Sequence, residues 1–165
     1  HMFMHGGWWH IIFNMYTLVM FGMVVERALG TKKFLILYFI TGFGAVALHT
    51  GVEWLEIHRA LASDDLAVRQ GALDLLRIPM VGASGAIFGV LVAFAMLYPE
   101  ARMTLLFPPV TLDAKWMVII FVGLELVIGI TGPSMGIAHF AHLGGALFGF
   151  LLILYWRKRG ELWRR

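Results

Sequence analysis

Apolar positions in this chain come in blocks rather than in alternation. Five blocks stand out, over residues 6–25, 34–52, 79–98, 116–132 and 137–156. At 1.5 Å rise per residue, each is near the roughly 20 residues that carry a helix across about 30 Å of hydrocarbon. The fourth is the shortest and is interrupted by Glu125. Lipid offers the backbone no hydrogen-bond partner, so every block is predicted to be a helix. The expected fold is all-α, a polytopic membrane helix bundle with five transmembrane helices. Residues 1–156 form the membrane domain and 157–165 a basic tail. The connection over 53–78 is the one long loop. Its irregularly recurring Leu61, Leu66, Val68, Leu73, Leu75 and Leu76 predict a surface or interfacial helix without a catalytic role.

Composition points the same way. The 165 residues are 60% hydrophobic and 14% charged, where soluble domains run near 45–50% and about 25%. The 19 glycines suit close helix–helix contact in a membrane. With no cysteine, disulfides, thiol nucleophiles and Cys-ligated metals are excluded. Of the 13 Lys and Arg residues, only Arg59, Arg69 and Arg77 fall on one side of the predicted spans. The others follow spans one, three and five, so that side is expected to be cytoplasmic, with the carboxy terminus in it and residue 1 outside. The expected setting is the cell membrane. Basic residues at span ends form no phosphate-binding stripe, so nucleic acid is not an expected partner. Trp8, Trp9, Trp54, Trp156 and Trp163 are expected in the interfacial belts.

Polar residues inside spans are costly and usually functional. His10 and Asn14 lie four apart in span one, hence on one face. Ser84 stands in span three within Gly82-Ala83-Ser84-Gly85, and span five holds His139 and His142. Counted from their predicted helix starts, His10, Asn14, Ser84 and His142 all fall about 7–14 Å down, in one shallow layer. Gly85, Gly89 and Ala93 form a small-residue strip on span three, and His142, Gly145 and Gly149 share a face of span five. Such strips let backbones approach closely enough for a serine–histidine hydrogen bond.

A serine hydroxyl needs a base to become a nucleophile, and His142 is the candidate base for Ser84. Attack on an amide carbonyl creates an oxyanion that needs preorganised donors. The Ser84 N–H at a helix start is one candidate, and Asn14 and His10 supply side-chain donors. No Asp or Glu is expected at this depth, so the reading is a dyad rather than a triad. Glu125 is expected to make a buried structural hydrogen bond or to be a neutral acid, and His139 to be a polar lining or orienting residue. Each residue alone has a plainer reading, as packing serine, satisfied interior histidine or interhelical amide. Only their combination points to chemistry.

That combination resembles the rhomboid family of intramembrane serine proteases. The resemblance rests on His5-Gly6-x-x-x-His10-Ile11-x-x-Asn14-Met15, on Gly82-Ala83-Ser84-Gly85-Ala86-Ile87-Phe88-Gly89 and on Ala141-His142-Leu143-Gly144-Gly145. Phe21-Gly22 and Glu26-Arg27-x-x-Gly30 are also similar to the family's pattern. The resemblance implies that Ser84 is the nucleophile and His142 the base. It implies that His10 and Asn14 line the oxyanion hole, with backbone contributions from Ser84 and Ala83. It further implies a rhomboid-like fold whose family core has six spans, against which this chain is expected to lack the first and the external loop after it. Many relatives carry Tyr where Phe88 stands; its ring can still pack beneath His142. The implied activity is hydrolysis of a peptide bond in or beside a transmembrane segment of another membrane protein, at a site open to the outer side. Span four is suggested as the gate. The expected partners are transmembrane protein substrates and the lipid bilayer, with no metal or other cofactor, and the oligomeric state is left open. Alternatives are an inactive rhomboid-like protein that binds membrane clients, a haem or metal protein using transmembrane histidines, and a transporter. Neither an HExxH cluster nor repeated halves favour the last two.

Overall fold

The computed structural model describes residues 1–75, 81–105, 109–131 and 137–162. Leu76, Arg77, Pro79, Trp163, Arg164 and Arg165 lie outside the described residues.

The first block is one continuous helical rod in three parts: α1 (Trp8–Thr17), a π-helical segment (Leu18–Gly22) and α2 (Met23–Leu29). It ends where Gly30 takes φ +79°, a left-handed conformation that a Cβ disfavours. Glu26 ties this corner. Its carbonyl accepts the Gly30 N–H at 2.7 Å, and its carboxylate accepts the Thr31 hydroxyl at 2.8 Å. The next helix, α3 (Thr31–Leu61), runs well past the predicted end at 52. Val52 to Leu61 contains Trp, Leu, Glu, Ile and Arg but no Gly or Pro, so nothing in it stops a helix. A short helix, α4 (Leu66–Leu75), follows where a surface helix was expected.

Helix α5 (Ser84–Leu97) is the centre of the bundle, and most of its residues are buried. Only its first position corrects the sequence reading. The helix was expected from 79, yet Val81, Gly82 and Ala83 are not helical, because Gly82 at φ +112° turns the chain into it. A two-stranded hairpin follows that no apolar pattern announced. Strand β1 (Arg102–Thr104) pairs antiparallel with β2 (Thr111–Asp113), and Arg102 meets Asp113 at 3.1 Å. Helices α6 (Ala114–Thr131) and α7 (Ile137–Lys158) complete the chain.

The rods Trp8–Leu29, α3, α6 and the His139–Lys158 part of α7 are long and apolar enough to cross a membrane, whereas α5, at 14 residues, is shorter. Together they make an all-α helical membrane bundle. Its outward face is apolar, with Phe13, Val19, Phe43, Ile119, Leu124, Ile130 and Leu151 exposed, a surface that water does not tolerate at this size.

Glycine contacts set the spacing of the central helices. A Cβ on Gly145 would collide with the carbonyl oxygen of Gly85, and one on Gly149 would lie 2.7 Å from that of Gly89. Helices α5 and α7 therefore touch backbone to backbone along the two small-residue strips. At the same glycine, Thr41 of α3 is fully buried against Gly89, its hydroxyl donating to the Leu37 carbonyl at 2.8 Å. At the far end, Arg157 donates to the Met96 carbonyl at 2.9 Å near the end of α5. Lys33 donates to the Glu161 carbonyl at 2.6 Å. Trp8, Trp9 and Trp54 are exposed, as an interfacial belt requires, but Trp156 is 5% exposed beneath the Lys33 ammonium. Its place in the belt is corrected: it packs inward.

Candidate active site

The site is built on the entry to α5. Gly82 can hold φ +112° only without a side chain, and it also stands where a Cβ would lie 2.7 Å from His10 Nε2 and 3.7 Å from Ser84 Oγ. Its N–H donates to the His1 carbonyl at 3.1 Å, which fixes the turn against the amino-terminal segment. Ala83 is fully buried and its carbonyl accepts the Ile87 N–H at 2.9 Å. Ser84 is the first residue of α5, so its N–H belongs to the set that a helix leaves without an internal acceptor. The depth of Ser84 thus comes from a non-helical approach rather than from five residues of helix.

Helix α7 brings His142 to Ser84. Its Nε2 lies 2.8 Å from Ser84 Oγ. Phe88, one turn after Ser84 on the same face of α5, stacks on the imidazole with centroids 4.4 Å apart and planes 7° apart. The ring plane is therefore held while one edge faces the hydroxyl.

The opposite edge of His142 faces a carboxylate. Nδ1 is buried and lies 3.1 Å from Glu125 Oε2, within ion-pair range but without the alignment of a hydrogen bond. The same oxygen is in close contact with His139 Nδ1. This corrects the expectation that no carboxylate reaches this depth. Glu125 lies six residues before the end of α6 and His142 five residues after the start of α7. Counted from the connection that the two helices share, both stand at one level, and that count was the signal available in the sequence.

Span one contributes His10 and Asn14. Asn14 is 7% exposed, and its Nδ2 donates to the His10 carbonyl at 2.7 Å, within its own helix. His10 Nδ1 accepts the Gly6 N–H at 3.3 Å, and its ring meets His5 edge to face at 5.2 Å. Asn14 and Ser84 open onto one cavity of about 540 Å³. Its walls are mostly apolar, with Phe13 and Met20 from the first rod, Leu91 from α5, Met103 from the hairpin and Phe121 from α6. The Ser84–His142 pair thus adjoins an apolar groove whose flanks are the first rod and α6.

The family model for the Rhomboid domain matches residues 1–159, nearly the whole chain. This chain belongs to the rhomboid family. Presenilin-associated rhomboid-like protein A, mitochondrial, of Danio rerio is 33% identical over 159 residues, covering 93% of this chain and 37% of the relative. RHOMBOID-like protein 4 of Arabidopsis thaliana is 32% identical over 152 residues, covering 90% of this chain and 31% of the relative. Rhomboid protease AarA of Providencia stuartii is 29% identical over 153 residues, covering 92% and 52% respectively. The rhomboid chain described here therefore spans about a third to a half of the length of these relatives. No solved structure matches it. Its membrane-spanning helices and these relatives make it an integral membrane protein.

Proposed function

We propose that this rhomboid is an intramembrane serine endopeptidase that cuts a peptide bond in or beside a transmembrane segment of a membrane-protein substrate. The observation that carries this reading is the 2.8 Å approach of His142 Nε2 to Ser84 Oγ beside the groove. Family membership supports it, since a relative is named a rhomboid protease.

In this reading His142 Nε2 takes the Ser84 proton as Oγ bonds to the scissile carbonyl carbon, whose π electrons move onto oxygen. The oxyanion is met by the Ser84 N–H, with Ala83, Asn14 and His10 as further donors once the Asn14 amide turns from the His10 carbonyl. Collapse breaks the C–N bond, and His142 returns the proton to the leaving amine. Water then repeats the sequence on the acyl-enzyme and frees Ser84. Glu125, across the ring from Ser84, is a positioning residue that faces the positive charge His142 acquires. The substrate enters between the first rod and α6 and must unwind there, because helical carbonyls are shielded by their own hydrogen bonds. The distribution of Lys and Arg supports a cytoplasmic carboxy terminus and a site open to the outer side of the cell membrane.

The test is labelling of the detergent-purified chain with a fluorophosphonate, beside its Ser84→Ala and His142→Ala forms. Labelling that requires both residues is the expected result. No labelling of a chain with a cooperative melting transition would leave the client-binding reading in its place.

A further inference from the structure

We infer that Glu125, His139 and His142 form a binding site for a zinc-class divalent cation, and that the bound ion switches the Ser84–His142 pair off. The switching half of this inference rests on the protease reading above; the binding half does not.

The argument starts from the donor set. Glu125, His139 and His142 each offer one ligand atom within 4.8 Å of the others, and among the described residues they are the group so arranged. Both histidines turn Nδ1 to Glu125 Oε2. Two imidazole nitrogens and one carboxylate oxygen suit zinc and its neighbours, whereas magnesium and calcium prefer oxygen alone. Zinc–ligand bonds of about 2.0–2.2 Å put tetrahedral donor atoms roughly 3.3 Å apart. The His142–Glu125 pair already stands at 3.1 Å. The ion would replace the proton through which His139 and Glu125 now meet.

The placement is built in. His139 and His142 are i and i+3 on α7, hence on one face, and α6 supplies the carboxylate to both. Phe88 holds the His142 ring so that Nδ1 turns into the cluster. That nitrogen is buried and faces Glu125 Oε2 off the line of a hydrogen bond, so an ion bound there takes the place of the proton it carries while Nε2 accepts from Ser84. The three side chains keep 26%, 21% and 18% exposure for His139, His142 and Glu125, so water can reach the fourth position.

The chemical consequence follows from the tautomer. A neutral imidazole bound to metal through Nδ1 carries its one proton on Nε2. His142 Nε2 then donates to Ser84 Oγ and cannot take its proton. Zinc should lower kcat and leave KM unchanged, because the groove that binds substrate is on the other side of Ser84.

Two measurements separate the halves. Cobalt(II), added to untagged Ser84→Ala chain in detergent, should give the visible absorption of a four-coordinate ion. That band should vanish when His139→Ala or Glu125→Gln is added. Zinc should slow fluorophosphonate labelling of the Ser84 chain, and a chelator should restore it. Losing a ligand costs at least the 10–100-fold of an outer partner, so His139→Ala should raise the half-inhibiting zinc concentration by about tenfold or more. Each variant is compared with its own zinc-free rate. No cobalt band, or zinc inhibition unchanged by His139→Ala, overturns the site. A His139-dependent cobalt band without any labelling supports the site and sinks the protease reading instead.

Discussion

The rings of Phe88 and His142 are stacked, their planes 7° from parallel and their centroids 4.4 Å apart, and this stack decides which way each imidazole nitrogen looks. Ser84 and Phe88 are one turn apart on α5, so a single helix face both presents the Ser84 hydroxyl and seats the His142 ring. Stacked aromatic pairs contribute about 0.5–1.5 kcal/mol beyond their buried area. Phe88→Ala should therefore let the ring swing and slow Ser84 labelling by about tenfold, since about 1.4 kcal/mol is a factor of ten. Phe88→Tyr should keep the stack and the rate. Equal rates in all three chains would mean that the base is held by something else.

Glu125 gives a second prediction. In a triad whose carboxylate is fully hydrogen-bonded to the histidine, its amide replacement costs about 10⁴ in kcat. Here the contact with His142 is off-line and shared with His139, so the share is smaller. Glu125→Gln should lower kcat by about ten- to a hundredfold with KM unchanged, and Glu125→Asp should recover part of the loss. A purely structural role would move the melting temperature and leave the Gln and Asp forms alike in kcat.

The reach of the sequence follows from which constraint acts where. Lipid forces helices and penalises polar side chains, so the spans and the set His10, Asn14, Ser84, His139 and His142 were legible as residues worth watching. The glycine strips on α5 and α7 were legible too, because close backbone approach admits few residue types. Glu125 was legible as a buried polar residue, but not its level with His142, because depths were counted only along spans one, three and five and not from the connection that α6 and α7 share. The hairpin of Arg102–Thr104 and Thr111–Asp113 left no trace, since strands of three residues are too short to show a period. Trp156 was misplaced because an aromatic at a span end fits equally a lipid interface and a lid under Lys33.

The contact of α5 with α7 predicts an uneven response to glycine replacement. Gly145 and Gly149 face the carbonyls of Gly85 and Gly89, and backbone cannot yield as a side-chain tip can. Gly145→Ala and Gly149→Ala should each destabilise the bundle by at least about 1–3 kcal/mol, the usual cost of overpacking, and should pull His142 from Ser84. Gly123→Ala, with nothing within 4 Å of the added carbon, should be neutral or slightly stabilising. Melting in detergent ranks the three, and a Gly145→Ala chain as stable as Gly123→Ala would refute the backbone contact.

Asn14 separates a donor from a packing residue. Its amide is spent on the His10 carbonyl, which as a mid-helix carbonyl keeps its backbone bond if the side chain leaves. Asn14→Ala should therefore change stability by less than about 1 kcal/mol. Its effect on rate is set by how many donors share the oxyanion. A lone side-chain donor is worth about 10²–10³ in kcat. With the Ser84 N–H and His10 beside it, the expected loss is nearer ten- to a hundredfold. In the proposed mechanism Asn14→Asp places a negative charge beside the oxyanion and should fall below Asn14→Ala, although Asp is nearly the same size as Asn. Single-turnover cleavage of a transmembrane substrate gives both values. An Asp form at least as fast as the Ala form would show that no charge develops beside residue 14.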